Sequence, residues 1–245
     1  MSNTYVIYPM LMGRFRAHEK SVFTYRRNYG IGVNSPLLTY LVQGDGKNIL
    51  FDCGPAGPDK AAEKSHPRLD EHVSLPEALG KRGLLPEQID CVVLSHLHWD
   101  HSYNLEYFPN IPIYVQAREL AYAIAPMTCD FTTYNIKQKN GVPQWFSGYE
   151  NMQIIDGDHT LTDGLVILSM PGHSPGLQCL LVTTKKGNCL LASDHFPLLE
   201  NYEQNIPSGI HTSLEEWYAS SRRIRCLADY VLPGHDDFTL NHESY

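Results

Sequence analysis

Short apolar runs, each closed off by turn-forming residues, recur along this chain in two series, and that rhythm points to a fold built on two sheets. The first series is Tyr5 to Tyr8, Leu37 to Val42, Asn48 to Phe51, Cys91 to Leu94 and Ile113 to Val115. The second is Met152 to Ile155, Leu165 to Ser169, Gln178 to Val182, Asn188 to Leu191 and Tyr230 to Leu232. Gly44-Asp-Gly46 and Lys185-Lys-Gly187 sit where hairpins would turn. Helices are expected at Ser74 to Lys81, with Pro76 in the first turn, at Ala117 to Ile124, and at Ser213 to Leu227. In the last of these, Ser213 and Glu216 have capping-box spacing, and Leu214, Trp217, Ile224 and Leu227 can share a buried stripe. Helices would then cover the outer faces of a sheet pair. No Pro-rich linker divides the halves, so residues 1–245 are expected to form one domain.

The chemistry concentrates where the run Cys91 to Leu94 would surface into a loop, in Ser95-His-Leu-His-Trp-Asp-His101. His96, His98, Asp100 and His101 are all ligand-type side chains. Residues two apart on an extended segment face the same way, so His96 and His98 can grip one ion, while Asp100 and His101 need a turn to reach another. Two adjacent metals would hold a water between them and make it hydroxide at neutral pH, which points to a hydrolase. Further candidates stand after strands of the second series: His173 in Pro171-Gly-His-Ser-Pro-Gly176, Asp194 in Ala192-Ser-Asp-His195, and His235 in Pro233-Gly-His-Asp236.

Taken in order, these residues resemble the metallo-β-lactamase superfamily, whose pattern is His-x-His-x-Asp-His succeeded by a distant His, Asp and His. Asp52, in Ile49-Leu-Phe-Asp-Cys-Gly54, matches the acidic position that often precedes the motif. The resemblance implies an α/β fold, a four-layer αββα sandwich with two β-sheets flanked by helices. Within the superfamily the chain looks most like the N-acyl-homoserine lactonases and relatives that open other small lactones, through Ser95 to His101, Gly157-Asp158, Pro171 to Gly176 and Gly234-His235-Asp236. The likeness implies a first metal on His96, His98 and His173, a second on Asp100, His101 and His235, and Asp194 bridging both. Zn²⁺ suits these donors, and Fe, Mn or Co would also be accommodated. The implied reaction is attack of the bridging hydroxide on a lactone carbonyl, with Asp100 also shuttling a proton, and quorum quenching as the associated role. The alternatives are a thioester, amide or other ester substrate at the same site, or a mononuclear-iron persulfide dioxygenase-like oxidoreductase.

The sequence departs from the lactonase pattern at two places. The homoserine lactonases carry a Tyr three residues past the bridging Asp, which polarises the substrate carbonyl, whereas this chain reads Asp194-His-Phe-Pro197. His195, Tyr202 or a metal alone would then have to hold the oxyanion; for His195 the other reading is a core position bonded to backbone. Ser102-Tyr103 replaces the Gly-Gly that often comes after the motif and adds bulk there. Asp52 reads as a residue that bonds the site loop, and Cys53 and Cys189 as small core fillers. His18, His66, His72, His159, His211 and His242 read as surface or structural residues. Met10-Leu-Met12 and the aromatic stretch Tyr122 to Tyr149, with Phe131, Tyr134, Trp145 and Phe146, line a substrate cleft on one reading, and pack in the core or at a homodimer contact on the other.

Composition sets the remaining bounds. The net charge is −8 and the basic runs are as short as Arg222-Arg223, so nucleic-acid partners are disfavoured and a small neutral or weakly anionic substrate is expected. The apolar runs are too short to span a bilayer. Six cysteines without a Cys-x-x-Cys pair, and a start lacking a signal-peptide pattern, suggest reduced thiols and a cytoplasmic location.

Overall fold

The computed structural model describes residues 3–63, 68–135 and 142–245. The first sheet comprises β1 (Val6–Glu19), β2 (Gly32–Gly44), β3 (Lys47–Phe51), β4 (Leu69–Asp70), β5 (Cys91–Val93), β6 (Ile113–Gln116) and β7 (Met152–Ile155), in the order β4-β1-β2-β3-β5-β6-β7. The second comprises β8 (His159–Thr162), β9 (Leu165–Ser169), β10 (Gln178–Thr184), β11 (Gly187–Ser193) and β12 (Tyr230–Pro233), in the order β12-β11-β10-β9-β8. The helices are α1 (Pro58–Glu63), α2 (Leu75–Gly80), α3 (Ala117–Ile124), α4 (Leu199–Gln204) and α5 (Leu214–Leu227).

The burial of β2 explains the layering. Leu38, Tyr40 and Val42 face the second sheet, in one cluster with Ile167, Leu180, Val182 and Leu191. Leu37 and Leu41 face the other way, into a cluster with Leu75 and Leu79 of α2 and Leu120 of α3. A strand buried on both faces reads as a continuous apolar run, as Leu37 to Val42 does. The second sheet likewise packs its far face against α5, where Leu190 and Cys179 meet Trp217 and Ile224. The result is helix, sheet, sheet, helix, the αββα arrangement.

Four local expectations need correction. Met152–Ile155 pairs parallel with β6 and closes the first sheet instead of opening the second; a short apolar run carries no mark of which sheet receives it. β1 extends far beyond Tyr8, because β2 supplies a partner for residues as polar as Arg14 and His18. β8, largely polar at an edge, lacks the apolar signal altogether. In α5 the Ser213 hydroxyl does accept the Glu216 N–H, and Trp217 and Ile224 are buried, but Leu214 is half-buried and Leu227 exposed, so the stripe is narrower than expected. The Asp45-Gly46 turn has both residues at positive φ, the backbone of a tight hairpin between β2 and β3.

Candidate metal centre

β3 and β5 run parallel, as do β11 and β12, and β9 shares the direction of β11 because both are antiparallel to β10. The segments leaving their C-terminal ends carry Asp52, Ser95 to His101, Asp194, His235 and His173 in turn, and these converge. The candidate ligands form two groups, in each of which the ligand atoms lie within 4.8 Å of one another: His96, His98, His173 and Asp194, and Asp100, His101 and His235. Asp194 faces both. One carboxylate oxygen lies 3.4 Å from His173 Nε2 and 4.0 Å from His96 Nε2; the other lies 2.9 Å from His235 Nε2 and 3.3 Å from His101 Nε2. Asp100 approaches His101 at 3.7 Å and His235 at 3.9 Å.

The far side of most of these rings is tied down. His101 Nδ1 lies 2.8 Å from Asp52, His173 Nδ1 2.9 Å from the Ile210 carbonyl, and His235 Nδ1 2.9 Å from the Pro36 carbonyl. His96 Nδ1 lies 2.9 Å from the Ser95 hydroxyl, which itself donates to Asp52. A proton on Nδ1 satisfies each of these contacts and leaves the Nε2 lone pair facing the centre, the tautomer a metal requires. Asp52 also accepts the Ser95 N–H at 2.7 Å, so one buried carboxylate fixes both ends of the loop. Asp52 and Ser193 hold positive φ, a conformation that costs energy for residues with a Cβ and recurs at functional sites.

Electrostatics fit a cation. Burial and the neighbouring imidazoles hold His96 and His98 well below the usual histidine range, so both are neutral donors. Burial also lowers His173. Around His101, Asp100, Asp194 and Asp52 outweigh burial and hold the imidazole well above its ordinary value; at His235, burial is likewise outweighed by Asp194, which raises the imidazole. Asp194 remains far below the carboxylate range because His235, His101 and His173 overcome its burial. His96 Nε2, His101 Nε2 and one Asp194 oxygen are buried without a hydrogen-bond partner. Orphaned buried atoms in both groups, on imidazole and carboxylate, are the donor set that two divalent ions satisfy.

A buried acid that the sequence does not advertise holds the loops together. Glu119, in the first turn of α3, accepts from Leu97 N–H at 2.9 Å, Tyr134 Oη at 2.8 Å, Ser174 Oγ at 2.6 Å and Gly176 N–H at 3.1 Å. Its carboxyl therefore joins the residue between His96 and His98 to the residues after His173, and Tyr134 in turn packs edge-on against His98 at 4.7 Å. Burial raises the Glu119 pKa while these donors oppose the rise. Gly176 is required by this approach, since a Cβ there would lie 2.2 Å from the Glu119 backbone nitrogen.

A cleft of about 250 Å³ opens onto the centre, lined by Phe15, Val22, Phe23, Trp99 and Ile210 with Asp100, Asp194 and the ligand imidazoles. Its walls differ from those the sequence suggested. Met10 and Met12 pack in the core, and Tyr134 and Trp145 are buried beneath the surface. Phe146 and Tyr149 stack on each other, half-exposed, and are not among the residues lining the cleft. From the stretch Tyr122 to Tyr149 only Thr132 and Thr133 reach the cleft among the described residues; 136–141 lie outside them, as does His66. His18, expected to be structural, lines the cleft.

His195 and Tyr202 are not among the residues lining it. His195 is fully buried, stacked on Trp217 with centroids 5.0 Å apart, and its burial lowers its pKa to about 3. Consecutive side chains leaving a strand point to opposite faces, so Asp194 in the site sends His195 toward α5. Tyr202, on α4, packs against Phe196 and under the Arg225 guanidinium.

Comparison with known proteins agrees with this geometry. The family pattern described as "Metallo-beta-lactamase superfamily" matches residues 35–235. A Bacillus cereus protein named N-acyl homoserine lactonase is 31% identical over 188 residues, 71% of this chain and 70% of its own length. The Rhizobium radiobacter N-acyl homoserine lactonase AttM is 28% identical over 240 residues, 88% of each chain. A crystal structure of Bacillus thuringiensis AiiA, in a mutant form with N-decanoyl-L-homoserine bound at the active site, superposes with a TM-score of 0.77 at 26% identity, covering 96% of this chain and 94% of that one.

Proposed function

The chain belongs to the metallo-β-lactamase superfamily and is a metal-dependent hydrolase, and we propose that it opens a small lactone ring at a dinuclear centre. The observation that carries the reading is the division of Asp194, one oxygen toward His96 and His173 and the other toward His101 and His235. A single-iron site would leave His101 and His235 without a role, although both rings are oriented through Nδ1. His96, His98 and His173 would hold one ion, Asp100, His101 and His235 the other, and Asp194 both. Bound there, two divalent ions, Zn²⁺ first among those these donors suit, would supply an activated water and polarise the substrate carbonyl.

The remaining steps fall to the chain's own residues. Asp52, Ser95 and the Ile210 and Pro36 carbonyls keep the imidazoles in one orientation, so no reorganisation is needed at the moment of reaction. Phe15, Phe23, Trp99 and Ile210 exclude water around the substrate. Asp100, which lines the cleft, would carry a proton to the alkoxide that leaves when the ring opens. Water adds across the acyl–oxygen bond, and the product is a hydroxy acid. A lactone, either an N-acyl homoserine lactone or an aromatic one, suits an apolar cleft with no Lys or Arg among its lining residues, and the named activity of the relatives supports the choice.

The test combines metal analysis of the purified protein with a pH-indicator screen of homoserine lactones, aromatic lactones, thioesters and simple esters. Two metals per chain and acid release confined to lactones are expected, with Asp194→Ala losing most turnover and metal. Thioester- or ester-selective release would move the bond cleaved while keeping the site. One iron per chain without hydrolysis would overturn the proposal.

A further inference from the structure

Beyond the ligands and the apolar walls, the cleft is lined by His18, Thr132, Thr133 and Ser208. Two of these polar groups are already engaged. Thr133 Oγ1 donates to the Asp130 carbonyl at 2.8 Å, and Ser208 Oγ lies 3.3 Å from His173 Nδ1. His18 differs: its Nδ1 is buried with no hydrogen-bond partner among the described residues. An unpaired buried nitrogen is not distinctive by itself, since both ring nitrogens of the core residue His195 are likewise buried without a partner; what sets His18 apart is that its half-buried ring also lines the cleft.

The backbone is bent to bring this ring to the cleft. Along β1, Phe15 pairs with Ser35 and His18 with Val33, so two residues, Arg16 and Ala17, stand opposite Asn34 alone. That is a β-bulge. Ser35 and Val33 are two apart and share a face, and the extra residue therefore puts His18 on the face of Phe15; in a regular strand, residues three apart would point oppositely. Ala17 adopts positive φ to make the bulge, against its Cβ, and its N–H is held by Asn34 Oδ1 at 2.8 Å. The imidazole then stands edge-on to Phe15 at 4.8 Å and to Phe23 at 5.3 Å, and the same two phenyl rings pack against the candidate ligand His235 at 5.7 and 5.4 Å. His18 is thus fixed by aromatic packing while its hydrogen-bonding capacity is unspent, one ring away from the metal centre.

We propose that His18 is a catalytic residue that donates a hydrogen bond through Nε2, its Nδ1 being buried, to an oxygen of the bound substrate, in place of Pro197, His195 and Tyr202, none of which lines the cleft. The inference rests on the lactonase reading and adds to it the residue that holds the substrate against the centre. Imidazole has one N–H to give in its neutral form, and a site built to hydrogen-bond a substrate loses heavily when the donor is removed.

The experiment compares wild type, His18→Phe and His18→Gln, all metal-loaded, on the lactone or other ester that wild type opens best. Metal content, Tm, kcat and KM are measured for each. Phe keeps the aromatic packing without the donor, and Gln restores an N–H donor. His18→Phe is expected to lower kcat/KM by about 10- to 100-fold with metal content and Tm unchanged, and His18→Gln to recover to within a few-fold of wild type. An undiminished kcat/KM in His18→Phe, or a loss of equal size in the two variants, overturns the inference while leaving the lactonase reading intact. If wild type with two metals opens no member of the panel, the lactonase reading itself falls, and this inference with it.

Discussion

Removing the Glu119 carboxylate should loosen the metal centre from behind. In Glu119→Ala four donors lose their acceptor, and two of them, the Leu97 and Gly176 N–H groups, are backbone atoms that cannot turn elsewhere. Each buried donor left unsatisfied costs about 1–3 kcal/mol, so the two fixed groups alone give about 2–6 kcal/mol. A water entering the polar cavity would recover part, since several partners surround it. Burial of the carboxylate, which raises its pKa, is a cost that the variant no longer bears. The balance is about 3 kcal/mol, and for a chain of this length each kcal/mol lowers Tm by about 2–4 °C. Because Leu97 lies between His96 and His98, and Ser174 is next to His173, the first metal group should suffer too, with affinity falling about 10- to 100-fold. Thermal unfolding of the metal-free protein and a competitive chelator titration measure the two effects separately. Glu119→Gln, which keeps the shape and one acceptor oxygen, should fall between. A Glu119→Ala protein with Tm within about 2 °C of wild type and unchanged metal affinity would refute the reasoning.

The other expectations concern residues away from the centre. His195→Phe and Tyr202→Phe should each keep kcat within a few-fold of wild type, because His195 lies on Trp217 and Tyr202 under Arg225; a loss beyond about 100-fold in either, measured in steady state at intact metal content, would restore its claim as the oxyanion donor. Thiol titration of the native protein with a disulfide reagent should detect Cys129 and Cys226 alone, since burial raises the Cys91 thiol to about 12 and keeps Cys53, Cys179 and Cys189 protonated as well. Rapid labelling of more than two thiols per chain would show that the core opens.

The candidate ligands were legible because each motif that carries them comes after an apolar run, and a strand end is a position that sequence can mark. The layers were legible for a related reason: Leu37 to Val42 has the continuous apolar character of a strand buried on both faces. The residues between these marks depend on contacts distant in sequence. Glu119 looks like an ordinary acid in the first turn of a helix until the His96 and His173 loops close over it. The aromatic stretch from Tyr122 to Tyr149 carried composition suited to a cleft, yet whether Trp145 faces a substrate or the core is decided by its neighbours. His18 was hidden by periodicity itself, because only the bulge reverses the face on which it would otherwise emerge.

These two kinds of residue also divide the labour. The candidate ligands issue from the C-terminal ends of β5, β9, β11 and β12, and Asp52 from that of β3, strands with buried residues whose side chains a shift of register would flip to the other face. The cleft walls Phe15, His18, Val22 and Phe23 come instead from the end of β1 and the turn after it, a segment bordered by the two-residue strand β4 and shaped by a bulge. Bulges and strand ends can change without disturbing the core, and the metal geometry does not depend on them. The segment Phe15 to Phe23 is therefore where substitutions should alter which substrate is accepted while the hydrolytic chemistry persists.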